Sequence, residues 1–189
     1  MAEAKAIPGQ ARAVVIGGGV AGCSVAYHLA KQGWKDVVLL ERKQLACGTT
    51  WHAAGLIGQL RATKNMTRLA KYSADLYTKL EAETGVATGF RQCGSISVAL
   101  TDERLQELNR SASMARAFGV DVEEISPDEI KKRYEHINLD GVTGGVWLPL
   151  DGQADPANIA QALAKGARQM GAKVIEGVKV TEIHETVSG

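Results

Sequence analysis

Glycines at 17, 18, 19 and 22, set between an apolar run and a longer periodic segment, constrain this chain more than any other feature. Ala13, Val14, Val15 and Ile16 read as a short buried strand, and Gly17 to Gly22 as a tight turn that opens a helix. Gly17 permits the turn, Gly19 lets a pyrophosphate approach the backbone, and Gly22 lets the helix pack on the strand. A helix start offers free N–H groups and a partial positive charge to phosphate, so Val20 and Ala21 join the expected contacts. Cys23, Ala26, Leu29 and Ala30 form the inner face of that helix, and Gly33 suits the residue just past its end. Val37 to Leu40 then read as a second strand closing on Glu41, 24 residues after Gly17, where a carboxylate accepts hydrogen bonds from a ribose. That carboxylate disfavours a 2′-phosphorylated cofactor, and Arg42 beside it reads locally as a surface charge. Glycines at this spacing are a weak signal alone. Their place between a strand, a helix and an acidic strand end makes them a dinucleotide site, against the alternative of a glycine-rich loop in some other βαβ unit with Glu41 merely solvated.

Up to Glu41, NAD and FAD fit equally. A βαβ unit for NAD would proceed to another helix and strand, whereas here the chain enters a polar, glycine-containing segment from Gln44 to Gly58. Within it Gly48, Thr49, Thr50, Trp51, His52, Ala53, Ala54, Gly55 and Leu56 place one histidine among small residues that admit a planar ring. Taken alone, His52 reads as a packing or hydrogen-bonding residue.

The strings GTTWHAAGL (48–56), VVIGGGVAG (14–22), VVLLER (37–42) and DGQADP (151–156) resemble the amino-terminal part of the dimethylglycine and sarcosine dehydrogenases, flavoproteins related to D-amino-acid oxidase. The resemblance covers essentially the whole chain from Ala13. It implies FAD as cofactor, bonded covalently through His52, with Arg42 and the residues 48–56 among the flavin contacts and the backbone of Val180 touching the adenine end. A neutral imidazole nitrogen is a competent nucleophile, and a covalent tether prevents loss of the flavin. The resemblance further implies a small N-methylated amine as substrate, dioxygen or an electron-transfer flavoprotein as electron acceptor, and, in longer family members only, a tetrahydrofolate-binding region. HAAGL leans toward dimethylglycine, Leu60-Arg61 toward sarcosine. Catalytic residues on the substrate side are expected beyond Gly189.

Composition excludes several other functions. A net charge of +1 leaves no polyelectrolyte face for nucleic acid, and no apolar run approaches a membrane span. The start, MAEAKAIPGQ, has neither a secretory apolar core nor an arginine-rich presequence, so the chain reads as cytoplasmic, or as a processed chain of the mitochondrial matrix. Cys23, Cys47 and Cys93 lack metal-ligand spacing and are odd in number, and His28, His136 and His184 are scattered, so no metal site or disulfide framework is expected.

Past the histidine block, Met66, Leu69, Tyr72, Leu76 and Leu80 recur as the inner face of a helix stopped at Gly85, with Tyr72 and Tyr77 as core residues. Gly94 to Leu100 reads as a strand, and a helix from Asp102 turns Leu105, Leu108, Ala112, Ala115 and Phe118 inward before Gly119. Val120, Val122 and Ile125 alternate as a short strand. Ser126, Pro127 and Glu129 form a capping box for a helix whose Lys131, Lys132 and Arg133 make a solvated face. Gly145 to Leu150 reads as a strand, Asp151-Gly152 as a turn, and Asp155-Pro156 as the cap and first residue of a helix burying Ile159, Leu163, Ala167 and Met170. Last strands are expected near Lys173 to Ile175 and Val178 to Ile183.

The fold class is therefore α/β: a Rossmann-like FAD-binding βαβ unit of the D-amino-acid-oxidase type with part of an inserted α+β substrate domain. After a flexible segment 1–12, cofactor elements occupy about 13–60 and 150–189, and substrate-domain elements about 85–150. The chain reads as an amino-terminal fragment, inactive by itself, of an FAD-dependent amine dehydrogenase or oxidase. A non-catalytic regulatory homologue of the same fold and an NAD-dependent dehydrogenase are the alternatives.

Overall fold

The computed structural model describes residues 7–185, which fall into two compact units. The expected flexible segment 1–12 lies partly outside that range. The first unit takes the chain up to Gly55, then Lys79–Gly89, and resumes at Asp155; the second takes Leu56–Thr78 and Phe90–Ala154.

In the first unit, strands β1 (Ala13–Ile16), β2 (Val37–Glu41) and β8 (Lys173–Glu176) form a parallel sheet in the order β1-β2-β8. Val14 and Ile16 on edge strand β1 are about half exposed, while Val37, Val38 and Leu39 of the central strand are buried. Helices α1 (Val20–Lys31) and α5 (Pro156–Gln169) pack together. Gly166 permits this contact, because a Cβ there would meet the Tyr27 ring at 2.8 Å. Tyr27, fully buried, was not foreseen as core; its hydroxyl pairs with Glu83 and accepts from Lys31 Nζ (2.9 Å). The α5 start is as expected, with the Asp155 carboxylate accepting the Asn158 N–H (3.0 Å) and Pro156 at the first position.

In the second unit, β4 (Ser95–Ala99), β5 (Glu123–Ile125) and β6 (Gly144–Leu148) form an antiparallel sheet in the order β4-β6-β5. Helix α3 (Asp102–Ala117) buries Leu108, Ala112 and Ala115 with Ala99, Val146 and Leu148. Helix α4 (Pro127–Arg133) carries both halves of the capping box. A two-stranded ribbon joins β3 (Leu56–Ile57) to β7 (Gly152–Gln153). Helix α2 (Lys64–Thr84) gives residues up to Thr78 to this unit and its last turns to the first.

Several expectations are corrected. Residues 178–183 form no strand: the N–H groups of Gly177 and Val178 donate to Lys43 O (3.1 Å) and Glu41 O (2.9 Å), and beyond them the chain meets no ladder partner among the described residues. Met66, Leu69 and Tyr72 are about half exposed rather than core, whereas Thr67 and Ala74 are fully buried. The reason is local, since the Thr67 hydroxyl exchanges hydrogen bonds with the N–H and C=O of Arg61 and turns its own face of α2 inward. The turn expected at Asp151-Gly152 falls at residues 149–150; Asp151 is buried and Gly152 lies in β7. Strand β5 starts at Glu123 rather than Val120. Lys131, Lys132 and Arg133 are exposed as expected, and Arg133 also pairs with Glu123 (2.7 Å) and lies over the Trp147 ring.

Candidate functional site

Strand β1 delivers the glycine turn. Gly17 has φ +106°, open only to glycine at low cost, and its N–H donates to Leu40 O (2.9 Å), stitching the turn to the end of β2. A Cβ on Gly22 would lie 2.0 Å from the Gly17 carbonyl oxygen, so α1 leaves β1 this closely only with glycine there. Gly18 has its own requirement, which motif spacing did not reveal: a Cβ would stand 2.6 Å from the Leu45 side chain and 2.9 Å from Glu41 Cβ.

The start of α1 leaves backbone N–H groups open. Its N-cap, Gly19, supplies no side-chain acceptor, and its first turn holds no acidic residue. Among the described residues the N–H groups of Ala21 and Gly22 find no acceptor, and such groups at a helix start receive phosphate oxygens. The Val20 N–H donates to Thr50 Oγ1 at 3.0 Å, across 30 residues of sequence.

Glu41 closes β2 at 7% exposure. Its Oε2 accepts the Gly18 N–H (2.7 Å), and its Oε1 accepts the Lys43 N–H (2.8 Å) with the Cys47 thiol at 3.9 Å. Burial works to raise the carboxyl pKa, but the two backbone N–H bonds, the Arg42 charge and the thiol outweigh it and hold it below the usual range. A carboxylate has about four acceptor positions, so room remains for the hydroxyls of a ribose. The following loop is pinned beneath the turn: Ala46 N–H donates to Gly18 O (2.9 Å), and Leu45 N–H donates to Glu176 Oε1 (2.8 Å). Ala46 adopts φ +63°, a left-handed conformation costing about 1–3 kcal/mol, which these bonds sustain.

Gly48 and Thr49 are exposed and lead into a 3-10 turn, Thr50–His52. Thr50 is buried; Trp51 and His52 are exposed, with ring centroids 3.9 Å apart and planes tilted by 33°. The imidazole nitrogens make no hydrogen bond among the described residues, so both are open to chemistry. Ala53 and Ala54 are exposed and small, and Gly55 turns back at φ +75°. The glycine turn, Val20, Ala21, Glu41, Arg42 and residues 48–55 thus share the first unit; Val180, half-buried after β8, belongs to it too, while Leu56 belongs to the second.

The second unit holds a cavity of about 430 Å³ lined by residues including Gly58, Arg61, Cys93, Ser95 and Asp151. Asp151 ties three segments: Oδ1 accepts the Gln59 N–H (2.8 Å), Oδ2 accepts the Ser95 hydroxyl (2.7 Å), and its carbonyl accepts the Gly94 N–H (2.8 Å). Arg61 donates to the Leu60 carbonyl (2.9 Å) and forms no ion pair among the described residues, leaving a guanidinium able to receive an anionic group. Sequence reading had no signal for this cluster, because its members come together through the β3-β7 ribbon, the Arg91–Gln153 bridge and the β4-β6 pairing.

Residues 12–189 match the DAO family, described as FAD dependent oxidoreductase. The chain belongs to that family. Human mitochondrial sarcosine dehydrogenase is 43% identical over 94% of this chain, and a mouse mitochondrial pyruvate dehydrogenase phosphatase regulatory subunit 40% identical over 96%. The chain spans about a fifth of the length of these relatives, 19% and 21% respectively. The crystal structure of L-proline dehydrogenase from P. horikoshii superposes with a TM-score of 0.86 at 31% identity, covering 93% of this chain and 46% of that one. Membership agrees with the α/β fold class read from the strand, glycine turn and helix, and supports FAD over NAD. In this DAO-family chain, no described helix is long and apolar enough to cross a membrane, and no described group of His, Cys, Asp and Glu side chains could hold a metal ion.

Proposed function

We propose that the protein carrying this chain is an FAD-dependent amine oxidoreductase acting on an N-methylated amino acid such as sarcosine or dimethylglycine. One observation carries the reading: a helix start with two free amides, those of Ala21 and Gly22, a buried carboxylate at a strand end and a free imidazole stand on contiguous elements of one unit. The similarity to a sarcosine dehydrogenase over nearly the whole chain supports the substrate class. Unit one is the FAD-binding part and unit two belongs to the substrate domain, with Arg61 as a receptor for a carboxylate. The chain spans 19% of that sarcosine dehydrogenase's length, so the activity is proposed for the whole protein that carries it.

In this reading the N–H groups of Ala21 and Gly22 hold the pyrophosphate, with Gly17, Gly19 and Val20 shaping its approach, and Glu41 accepts the ribose hydroxyls. Arg42 lies beside the nucleotide, residues 48–56 border the flavin, and the Val180 backbone meets the adenine end. Bound FAD would supply the two-electron acceptor for oxidation of the N-methyl carbon. The resulting substrate iminium is hydrolysed to formaldehyde and the demethylated amine, or passes its one-carbon unit to tetrahydrofolate in a longer chain. His52 supplies the covalent tether. An imidazole nitrogen of His52 would take the place of one hydrogen on a ring methyl carbon, a two-electron oxidation overall in which an acceptor such as dioxygen would take up the two hydrogens released from the N–H and the C–H. The same acceptor, or an electron-transfer flavoprotein, serves turnover, in the cytoplasm or a mitochondrial matrix.

A second reading, a non-catalytic regulatory homologue, is favoured by the likeness to the phosphatase regulatory subunit. Absorbance of the full-length protein separates the two. A yellow band bleached by sarcosine or dimethylglycine is expected; a colourless protein, or a band that neither amine bleaches, would overturn the enzymatic reading. Acid precipitation should leave the colour with the protein, and His52→Ala should fold and release its flavin. Flavin freed from the unmutated protein would end the covalent claim alone.

A further inference from the structure

We propose that Thr50 is a positioning residue for His52: its hydroxyl locks the turn that bears the imidazole to the phosphate-binding end of α1, so covalent attachment of flavin depends on that hydroxyl. The inference rests on the reading that His52 forms the tether. Helix α1 has a glycine N-cap and no cap from its own neighbourhood, and a residue 30 positions later supplies one, Thr50 Oγ1 accepting the Val20 N–H at 3.0 Å. Thr50 is only 7% exposed, whereas Trp51 and His52 beside it are exposed, so Thr50 is the point at which the turn is held. The turn is short and closed: His52 N–H donates to Thr49 O and Ala53 N–H to Thr50 O, both at 3.2 Å. A displacement of Thr50 therefore passes to the imidazole two residues on. Gly19 belongs to the same device, because a Cβ there would lie 3.1 Å from Thr50 Oγ1.

The hydroxyl is half used. It accepts from Val20, but its own proton has no acceptor among the described residues. That proton is able to rotate and donate to an anion held by the free amides of Ala21 and Gly22. Bond formation at His52 is sensitive to placement, since a displacement near 1 Å costs on the order of a hundredfold in rate.

The test uses the full-length protein prepared without flavin and mixed with FAD, following acid-stable flavin fluorescence over time at several FAD concentrations. At saturating FAD, Thr50→Val, which keeps the shape and removes the hydroxyl, should attach flavin about tenfold more slowly, as expected for loss of one hydrogen bond from the reacting arrangement. Thr50→Ser should stay within about threefold of the unmutated rate. If Thr50→Val reaches the unmutated rate at saturation and shows only weaker FAD binding, Thr50 is a phosphate contact and the proposal is overturned. Should Thr50→Val lack a cooperative thermal transition, Thr50→Cys, similar in size but a poor acceptor, takes its place with the same expectation and the same refutation. If the unmutated protein itself releases all its flavin into acid, the His52 reading has failed and this proposal falls with it. That outcome is distinguishable because it needs no variant.

Discussion

Removing the Glu41 side chain tests the proposed nucleotide site at a carboxylate that accepts hydrogen bonds on both oxygens. Glu41→Ala would strip the acceptor from the Gly18 N–H, which is buried, and from the Lys43 N–H, which is partly buried. A buried donor left without a partner costs about 1–3 kcal/mol, and water can reach Lys43 more readily, so the loss of stability without cofactor should be about 2–4 kcal/mol, most of it from Gly18. Glu41→Gln should recover part of this, because its carbonyl can serve one N–H while its amide faces the other as a second donor. The FAD complex should weaken by on the order of 2 kcal/mol in addition, from ribose hydroxyls left unpaired in a closed site. Urea unfolding of the flavin-free protein gives the first quantity and flavin fluorescence titration the second. Because hydrogen bonding holds the folded carboxyl below its ordinary value of 4.5, its stabilisation is present above that value and disappears as pH falls through the lower, folded one. The gap between the unmutated protein and Glu41→Ala should therefore be constant at neutral pH and close in acid. An unchanged urea midpoint for Glu41→Ala would refute the hydrogen-bond reasoning, while a lower midpoint with unchanged FAD affinity would refute the ribose assignment.

Gly22→Ala should lower the melting temperature and the flavin content together, since a methyl 2.0 Å from the Gly17 carbonyl forces α1 away from β1 at a cost of about 1–3 kcal/mol or more; unchanged melting and flavin content would contradict the packing argument. Thiol labelling of the native protein should reach Cys47 and Cys93, which are exposed, and spare Cys23, whose thiol burial pushes up to about 12. Mass spectrometry of labelled peptides before and after unfolding checks this, and rapid native labelling of Cys23 would count against it.

Much of the architecture was legible in the residues because the forces concerned are short-range. A glycine at a positive φ, a proline after an aspartate cap, and Ser126 exchanging hydrogen bonds with Glu129 are settled within about one turn of chain, so β1, α1, β2, α4 and α5 could be placed from the sequence. The position of Glu41 was legible too, since its place at the end of β2 follows from the strand and loop lengths preceding it. Other features depended on which distant segments meet. Thr50 caps a helix 30 residues upstream, Gly18 needs its bare Cα because Leu45 lies beneath it, and Asp151 binds chain 92 residues away at Gln59. Periodicity along α2 could not tell that Thr67 would be pulled inward by Arg61 and leave Met66 and Leu69 exposed. Nor could apolar alternation make a strand of residues 178–183, because a strand exists only where another backbone accepts and donates its hydrogen bonds, and that neighbour is supplied by the fold.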